Sequence, residues 1–359
     1  MSAAPVLPAP FPAFGGKAKA TPLVWDRFGN VDTYTEPCCY SAAILFGRPA
    51  AHLATRRIET INDIHAFIPN FWRALQADPD AVARWIDYPV SEVDLFARHV
   101  WLVRQTETLR ARLEADPHWY DAQIAGWWCW GACAWIGSGW CSGDGPHWID
   151  EDGAPVVRDA GRGVNRKLPH LGDAGRGVNR QLPHLGDAGR GVNRQLPHLG
   201  NAGRGVNRKL PHLGDAGQGE YLRALAARLR HVRVTCGDWS RVVTPAVLHA
   251  SRNGVAGVFL DPPYGEGAVD YSSGGNSDSA VADAVRAWAV ANGDNPRLRI
   301  ALCRYADGTP APEGWKVVRW RSRGGYHNQS AVGQVNRHRE EIWFSPHCLT
   351  PQLTLWSDL

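Results

Sequence analysis

The chain has no run of 18 consecutive apolar residues, the length a helix needs to span the hydrocarbon of a bilayer, so no membrane span and no membrane partner is expected. Its opening, MSAAPVLPAPFPAFGGK, lacks both a basic start and an apolar stretch behind it, so no secretory signal is expected either. Cysteine is scarce, with eight in 359 residues, too few for a disulfide scaffold in a chain of this length. A reduced, cytoplasmic protein is the simplest reading of these absences. What the chain does have is 44% hydrophobic and 21% charged residues, which excludes wholesale disorder. Its length suits one large domain, or a core domain carrying a smaller one.

The net charge is only +4, but its placement is uneven. Residues 159–214 hold ten Lys and Arg against three Asp, giving +7 and leaving about −3 for the rest. A basic segment on a mildly acidic body points to a polyanionic partner. The same segment is a repeat. DAGRGVNRKLPHLG begins at Asp159, recurs at Asp173, Asp187 and Asn201, and fades in DAGQG at Asp215, a period of 14 residues. Each copy has three glycines, one proline and three large apolar residues (Val164, Leu168 and Leu171 in the first). Such a unit buries little surface against a large backbone entropy cost. It is expected to be a flexible surface insertion over 159–218, or a basic arm that follows a phosphate backbone, and the two readings are compatible.

With the repeat set aside, the flanks read as α/β. Strands are expected at 31–37, 56–63, 232–238, 254–264, 297–304, 316–320 and 340–344. Helices are expected through Phe67, Phe71 and Leu75, and at about 91–115, 219–231 and 280–290. Alternating strands and helices imply a largely parallel sheet covered on both faces. Ligands of such sheets bind at the carboxyl ends of the strands. Glu36, Asp63, Asp238 and Asp261 all fall at such ends.

Seven of the 17 tryptophans lie in 119–148 (Trp119, Trp127, Trp128, Trp130, Trp135, Trp140 and Trp148). Buried aromatic packing is the first expectation, and stacking on a base or sugar by one or two of them the alternative. Cys129, Cys133 and Cys141 share the region with His147, but C-x3-C-x7-C-x5-H is not a familiar zinc spacing. Structural thiols and no metal are expected.

The sharpest motif is Asp261-Pro262-Pro263-Tyr264, at the end of an apolar strand. An exocyclic amine such as adenine N6 is a poor nucleophile, because its lone pair is delocalised into the ring. A carboxylate and a backbone carbonyl can accept its two hydrogens and favour the pyramidal geometry that reacts. The prolines remove backbone donors and stiffen the turn that holds the carbonyl. An aromatic ring can stack on a base taken out of the duplex.

On these residues the chain resembles the Dam-type, class-alpha DNA N6-adenine methyltransferases of phages and prophages. That family opens with a Gly-Gly-Lys segment, here FGGK ending at Lys17. A Glu-Pro-Phe-x-Gly-type loop follows its first strand, here EPCCYSAA from Glu36. Next come an acidic residue after the second strand, here Asp63, and a Gly-Asp-aromatic segment, here CGDW ending at Trp239. The catalytic motif follows, intact as DPPY, and EEIWFSP (340–346) resembles the family's last core strand. The matches cover about 1–75 and 220–350.

The resemblance implies a Rossmann-like S-adenosylmethionine-dependent methyltransferase sheet, formed by 1–78 and 219–359. A helical, Trp-rich target-recognition region would occupy 79–158. Gly15, Gly16 and Lys17 would border the methionine part of the cofactor, with Glu36 and Pro37 in the loop beneath it. Asp63 would meet the ribose hydroxyls. Asp238 would accept from the cofactor's adenine amine, with Trp239 packing close by. Asp261 and the Pro262 carbonyl would orient the target N6, Pro263 would stiffen the turn, and Tyr264 would stack on the flipped adenine.

The implied partner is double-stranded DNA. A restriction nuclease partner is possible for such an enzyme, but no nuclease motif is evident in the chain. Where the family has Phe and two glycines in its cofactor loop, this chain has Cys38, Tyr40 and Ala42. Glycine serves there for backbone freedom and close approach to a ligand. Two further readings therefore stay open beside the adenine-N6 enzyme. One is a catalytically impaired relative that binds DNA. The other is methylation of a different amine, in RNA adenine or at cytosine N4.

Overall fold

The computed structural model describes residues 7–11, 16–54, 57–135, 139–141, 147–149, 155–157, 215–251, 253–263, 278–319 and 340–351. Gly15, Tyr264, the side chains of His147 and Trp148, and the repeats of 159–214 lie outside the described residues.

The seven-stranded sheet is built from β1 (Thr33–Glu36), β2 (Ile58–Asp63), β5 (Val232–Cys236), β6 (Ala256–Leu260), β7 (Leu298–Tyr305), β8 (Lys316–Arg319) and β9 (Glu340–Phe344). Its order is β5-β2-β1-β6-β7-β9-β8. The first five are parallel, while β9 runs antiparallel to both β7 and β8. Counted among themselves, the five parallel strands have the order 3-2-1-4-5 of doubly wound, Rossmann-like folds. The direction of winding reverses between β1 and β6, and the crevice at such a switch point is where these sheets bind ligands. A short hairpin, β3 (His147–Ile149) with β4 (Pro155–Val157), stands apart from this sheet.

The strand sequences explain the layering. All five residues of AGVFL in β6 and of EEIWF in β9 are buried, as strands covered on both faces must be. Alternate residues serve different cores. Phe259, Ala301, Cys303, Ile342 and Phe344 belong to one buried cluster, and Val258, Leu260, Ile300, Leu302 and Trp343 to the other. The second cluster is closed by Val285 and Ala289 of α10 (Asp278–Asn292).

The larger cluster takes in α1 (Thr21–Phe28), α2 (Ala43–Phe46), α3 (Phe67–Ala77), α4 (Pro79–Ile86), α5 (Glu92–Val103), α6 (Thr106–Ala115), α7 (Ala122–Ala134) and α8 (Asp215–Leu229). The helical part of the expected recognition region thus shares one core with the sheet. Asn70 of α3 clamps the start of α7 through a reciprocal pair, its Nδ2 donating to the Asp121 carbonyl at 2.9 Å and its Oδ1 accepting from the Asp121 N–H at 2.8 Å. Asp121 also caps α7, accepting from Ile124 N–H at 2.8 Å.

The single helix expected at 91–115 is two, α5 and α6, broken at Arg104 and Gln105. The Thr106 hydroxyl donates to the Val103 carbonyl at 2.9 Å, a local bond that competes with continuing the helix. Of the six clustered tryptophans whose side chains are described, three are buried as the first expectation has it, and Trp119, Trp127 and Trp140 are half-buried. Trp128, Trp130 and Trp135 are buried, and Trp130 Nε1 donates to the Tyr88 carbonyl at 2.9 Å. The Arg98 guanidinium lies 4.1, 5.0 and 4.3 Å from the ring centres of Tyr88, Trp127 and Trp130. All eight cysteines are free thiols.

Among the described residues no helix is long and apolar enough to cross a membrane. No group of three or more His, Cys, Asp or Glu among them is arranged to hold a metal ion.

Candidate active site

The carboxyl ends of β1, β2, β5 and β6 carry Glu36, Asp63, Asp238 and Asp261, one acidic residue from each of four adjacent strands. Each follows from local structure. Glu36 is the last residue of β1, and its Oε2 accepts from the Tyr34 hydroxyl at 2.9 Å and the Leu45 N–H at 3.4 Å. Asp63 ends β2, its Oδ1 accepting from His65 N–H and its Oδ2 from Tyr40 N–H, both at 3.0 Å. Asp238 lies one residue beyond the β5–Gly237 junction, exposed, and caps the short turn Trp239–Val242 by accepting from Ser240 N–H at 2.9 Å. Asp261 follows β6 directly, with Pro262 and Pro263 behind it.

Lys17 is the cation of this group. It opens a 3-10 turn, Lys17–Ala20, and is only 4% exposed. Its Nζ lies 3.2 Å from Asp261 Oδ1. Burial alone would lower the ammonium's pKa, but Asp261, Cys303 and Glu340 around it outweigh that and raise it.

The loop between β1 and α2 is bound on every side. Asn62 Nδ2 donates to the carbonyls of Pro37 and Gly237, each at 2.9 Å, and so ties the ends of β1 and β5 across β2. Asn62 Oδ1 in turn accepts from the Thr235 hydroxyl at 2.9 Å. Ala42 N–H donates to the Cys39 carbonyl at 2.6 Å, and Trp72 Nε1 to the Tyr40 carbonyl at 3.0 Å.

Tyr40 and Ala42 occupy the left-handed region, with φ of 36° and 49°. These are the two positions where the resembling family has glycine, and the backbone here takes a conformation that favours glycine. The Tyr40 ring is accommodated by packing edge-on against Phe11, 5.7 Å between centres. Phe11 also touches the rings of Phe71, Trp72 and Trp128.

Cys38 stands at the focus. Burial first, and then Asp63, Asp261, Asp238 and Glu36, push its thiol well above the usual range. One side chain therefore senses all four strand-end carboxylates. Two of those carboxylates, Glu36 and Asp63, are under-compensated. Burial lifts Glu36 to about 8 and Asp63 to about 6, despite the N–H and O–H donors that pull each down. Clustered carboxylates with raised pKa values in a crevice make it a candidate functional site.

The structure thus brings together Gly16, Lys17, Glu36, Pro37, Asp63, Asp238, Asp261, Pro262 and Pro263 at one edge of the sheet. Trp239 follows Asp238, half-buried, its ring 6.4 Å from Trp288 of α10. Gly15 and Tyr264 were also expected here and lie outside the described residues. Three members were not singled out from sequence: Tyr34 and Asn62, which hold the loop, and Glu340, which opens β9 beside Lys17. Tyr34 and Asn62 lie inside strands, where polar residues read as alternation. Glu340 was visible only as the start of an apolar strand. No protein-family model matches the chain, and no curated protein matches it.

Proposed function

We propose that the chain transfers a methyl group from S-adenosylmethionine to the N6 amine of an adenine flipped out of double-stranded DNA, as the Dam-type family it resembles does. The observation that carries this reading is the placement of Glu36, Asp63, Asp238 and Asp261 at the carboxyl ends of four adjacent strands around the sheet's switch point, with Asp261 of the DPPY motif paired to buried Lys17 at 3.2 Å.

The residues present fit the cofactor. Each Asp63 oxygen takes one backbone N–H and has a lone pair to spare for a ribose hydroxyl. The exposed Asp238 carboxylate suits an adenine amine. A sulfonium cation suits a rim that carries more carboxylates than ammonium groups. Gly16, Lys17, Glu36, Pro37, Asp63, Asp238 and Trp239 would hold the cofactor, which supplies a methyl group already activated for transfer.

The protein's own task is positioning. Lys17 fixes the rotamer of Asp261 by the 3.2 Å ion pair. Asp261 and the Pro262 carbonyl then accept the two N6 hydrogens and free the nitrogen's lone pair. Pro262 and Pro263 offer no N–H of their own to compete. The +7 of residues 159–214 supplies a sequence-independent, salt-dependent part of DNA affinity.

A second reading, DNA binding without catalysis, draws on Tyr40 and Ala42 in place of glycine. One experiment separates the two: methyl transfer from labelled S-adenosylmethionine to unmethylated duplex DNA, followed by digestion to nucleosides. N6-methyladenine above an Asp261→Ala control supports the enzyme. Bound DNA without product, at saturating cofactor, supports the binding protein. Deleting 159–214 should flatten the salt dependence of DNA binding in either case.

A further inference from the structure

Glu340 is the first residue of β9, and because β9 runs antiparallel to β7 it starts at the same edge of the sheet as the strand-end carboxylates. It is 5% exposed, and its Oε2 is fully enclosed with no hydrogen-bond partner among the described residues. A buried carboxylate oxygen left in that state is costly unless a nearby charge compensates it. The charges that act on it are Lys17 and Asp261. Glu340 in turn acts on Lys17, together with Asp261 and Cys303 of β7.

Among the described residues, the groups facing it from the surrounding elements are therefore Lys17 from the 3-10 turn, Asp261 behind β6, and Cys303 with the register partner Tyr305 on β7. Glu36 of β1 also acts on Asp261's surroundings. The adjacent pair Arg304 and Glu341, 3.6 Å apart, lies on the opposite side of these strands.

We infer that Glu340 is a positioning residue that divides the charge of Lys17 with Asp261, and so sets how strongly Asp261 accepts a hydrogen from the target amine. This rests on the methyltransferase reading given above. With Glu340 neutral, the ammonium is committed to Asp261, and the carboxylate is a weaker acceptor. With Glu340 ionised, a second buried negative charge acts on the ammonium paired to Asp261, and Asp261 is the stronger acceptor. Burial lifts Glu340 to about 7, with Lys17 pulling down and Asp261 pushing up, so the exchange between the two states falls near neutrality.

The test compares the full-length chain with its Glu340→Gln and Glu340→Asp variants in two readouts. The first is kcat for methyl transfer at saturating DNA and S-adenosylmethionine from pH 5.5 to 8.5. The wild type should rise about fivefold through pH 7, well below the roughly 100-fold or more of a group that itself transfers the proton. Glu340→Gln should lose the step centred near pH 7, keeping only what Asp63 and Glu36 contribute on either side of it, and Glu340→Asp should restore a step. A residue that only shaped the strand would lower stability or raise KM without removing the pH step.

The second readout is Tm against pH without cofactor or DNA. Glu340→Gln should remove part of the wild type's loss of stability between about pH 5 and 8. If wild type and Glu340→Gln share one pH–rate profile, the inference is wrong while the methyltransferase reading stands. If the wild type transfers no methyl group, that reading falls, and the Tm comparison alone decides whether Glu340 carries the raised acidity. Identical Tm profiles would then overturn the inference too.

Discussion

Two carboxylates four residues apart on β2 meet opposite fates. Glu59, near the start of the strand, is 1% exposed and surrounded by arginine. Arg228 donates to both its oxygens at 2.8 Å, Arg48 to Oε1 at 3.2 Å and Arg57 to Oε2 at 3.1 Å. Burial would raise its pKa, but Arg228, Arg48 and Arg57 hold it below the usual range. Asp63, at the other end, has only backbone N–H donors and is lifted to about 6.

The same contrast runs along the two edges of the sheet. The Glu59 edge has three guanidiniums for one carboxylate, and Arg48 is further bound to the Val31 carbonyl at 2.5 Å. The Asp63 edge has Lys17 amid Glu36, Asp63, Asp261 and Glu340. A saturated cluster has nothing left to offer a ligand, so its role is to hold β2 to α8 and to the chain before β1. An under-compensated cluster is costly to the free protein and regains that cost when a cation or a set of N–H and O–H donors arrives. Charge count at a strand end is therefore a better guide to function here than burial, since both clusters are buried.

The largest effect should come from breaking the saturated cluster. Glu59→Ala leaves three guanidiniums facing one another in a buried site and should cost about 3–5 kcal/mol of stability, read as a lower urea midpoint. An unchanged midpoint would dissolve the contrast between the edges. Next comes Asp261→Asn, which keeps the side chain's size but loses the charge that pairs with Lys17 and that, on the proposed reading, accepts from the target amine. It should cut methyl transfer at least about 100-fold while leaving the cooperative unfolding transition in place. Full activity in that variant would remove the assignment of the site.

The comparison also predicts how stability follows pH. Glu36, Asp63 and Glu340 have folded pKa values of about 8, 6 and 7, all above the ordinary carboxylate range. Such groups contribute stability that is fully present below the ordinary carboxylate range and lost as pH rises through those folded values. Glu59 is depressed, so its contribution is present at neutral pH and lost only as pH falls into the acid range. Stability without ligand should therefore peak in mild acid and decline by several kcal/mol between about pH 5 and 8. Glu36→Gln should reduce that decline, and a wild-type profile flat over this range would contradict it.

Much of this was legible in the residues, for identifiable reasons. DPPY closes the five-residue apolar run of β6, and IETIND ends on the acid that terminates β2, so strand and site coincide in sequence. The unreadable parts have physical causes. AQIAGWWCWGACA of α7 is apolar nearly all round, so it shows no amphipathic stripe from which a helix can be read. Glu340 becomes a site residue only because β9 inserts between β7 and β8 with reversed direction, which local pattern does not reveal. Glu59 and Asp63 look alike in sequence, and their partners lie at separations as large as the 169 residues to Arg228.

The smallest effects should come from Tyr40 and Ala42, where the sequence departs most from the family it resembles. Their left-handed φ values of 36° and 49° cost roughly 1–2 kcal/mol each for a residue with a Cβ. The loop keeps them because its contacts to the site are made by the backbone: Tyr40 N–H to Asp63, the Tyr40 carbonyl from Trp72, and Ala42 N–H to the Cys39 carbonyl. Glycine can make every one of these bonds. Tyr40→Gly relieves the strain but removes the ring packed on Phe11, so the two changes offset and net stability should move by less than about 1 kcal/mol. Cofactor affinity, measured by calorimetry, should change by less than about threefold, because the donor to Asp63 is untouched and the ring is turned into the aromatic cluster. A gain of tenfold or more in Tyr40→Gly would show instead that the tyrosine obstructs the site, and would favour the reading of a chain that binds DNA but has lost efficient catalysis.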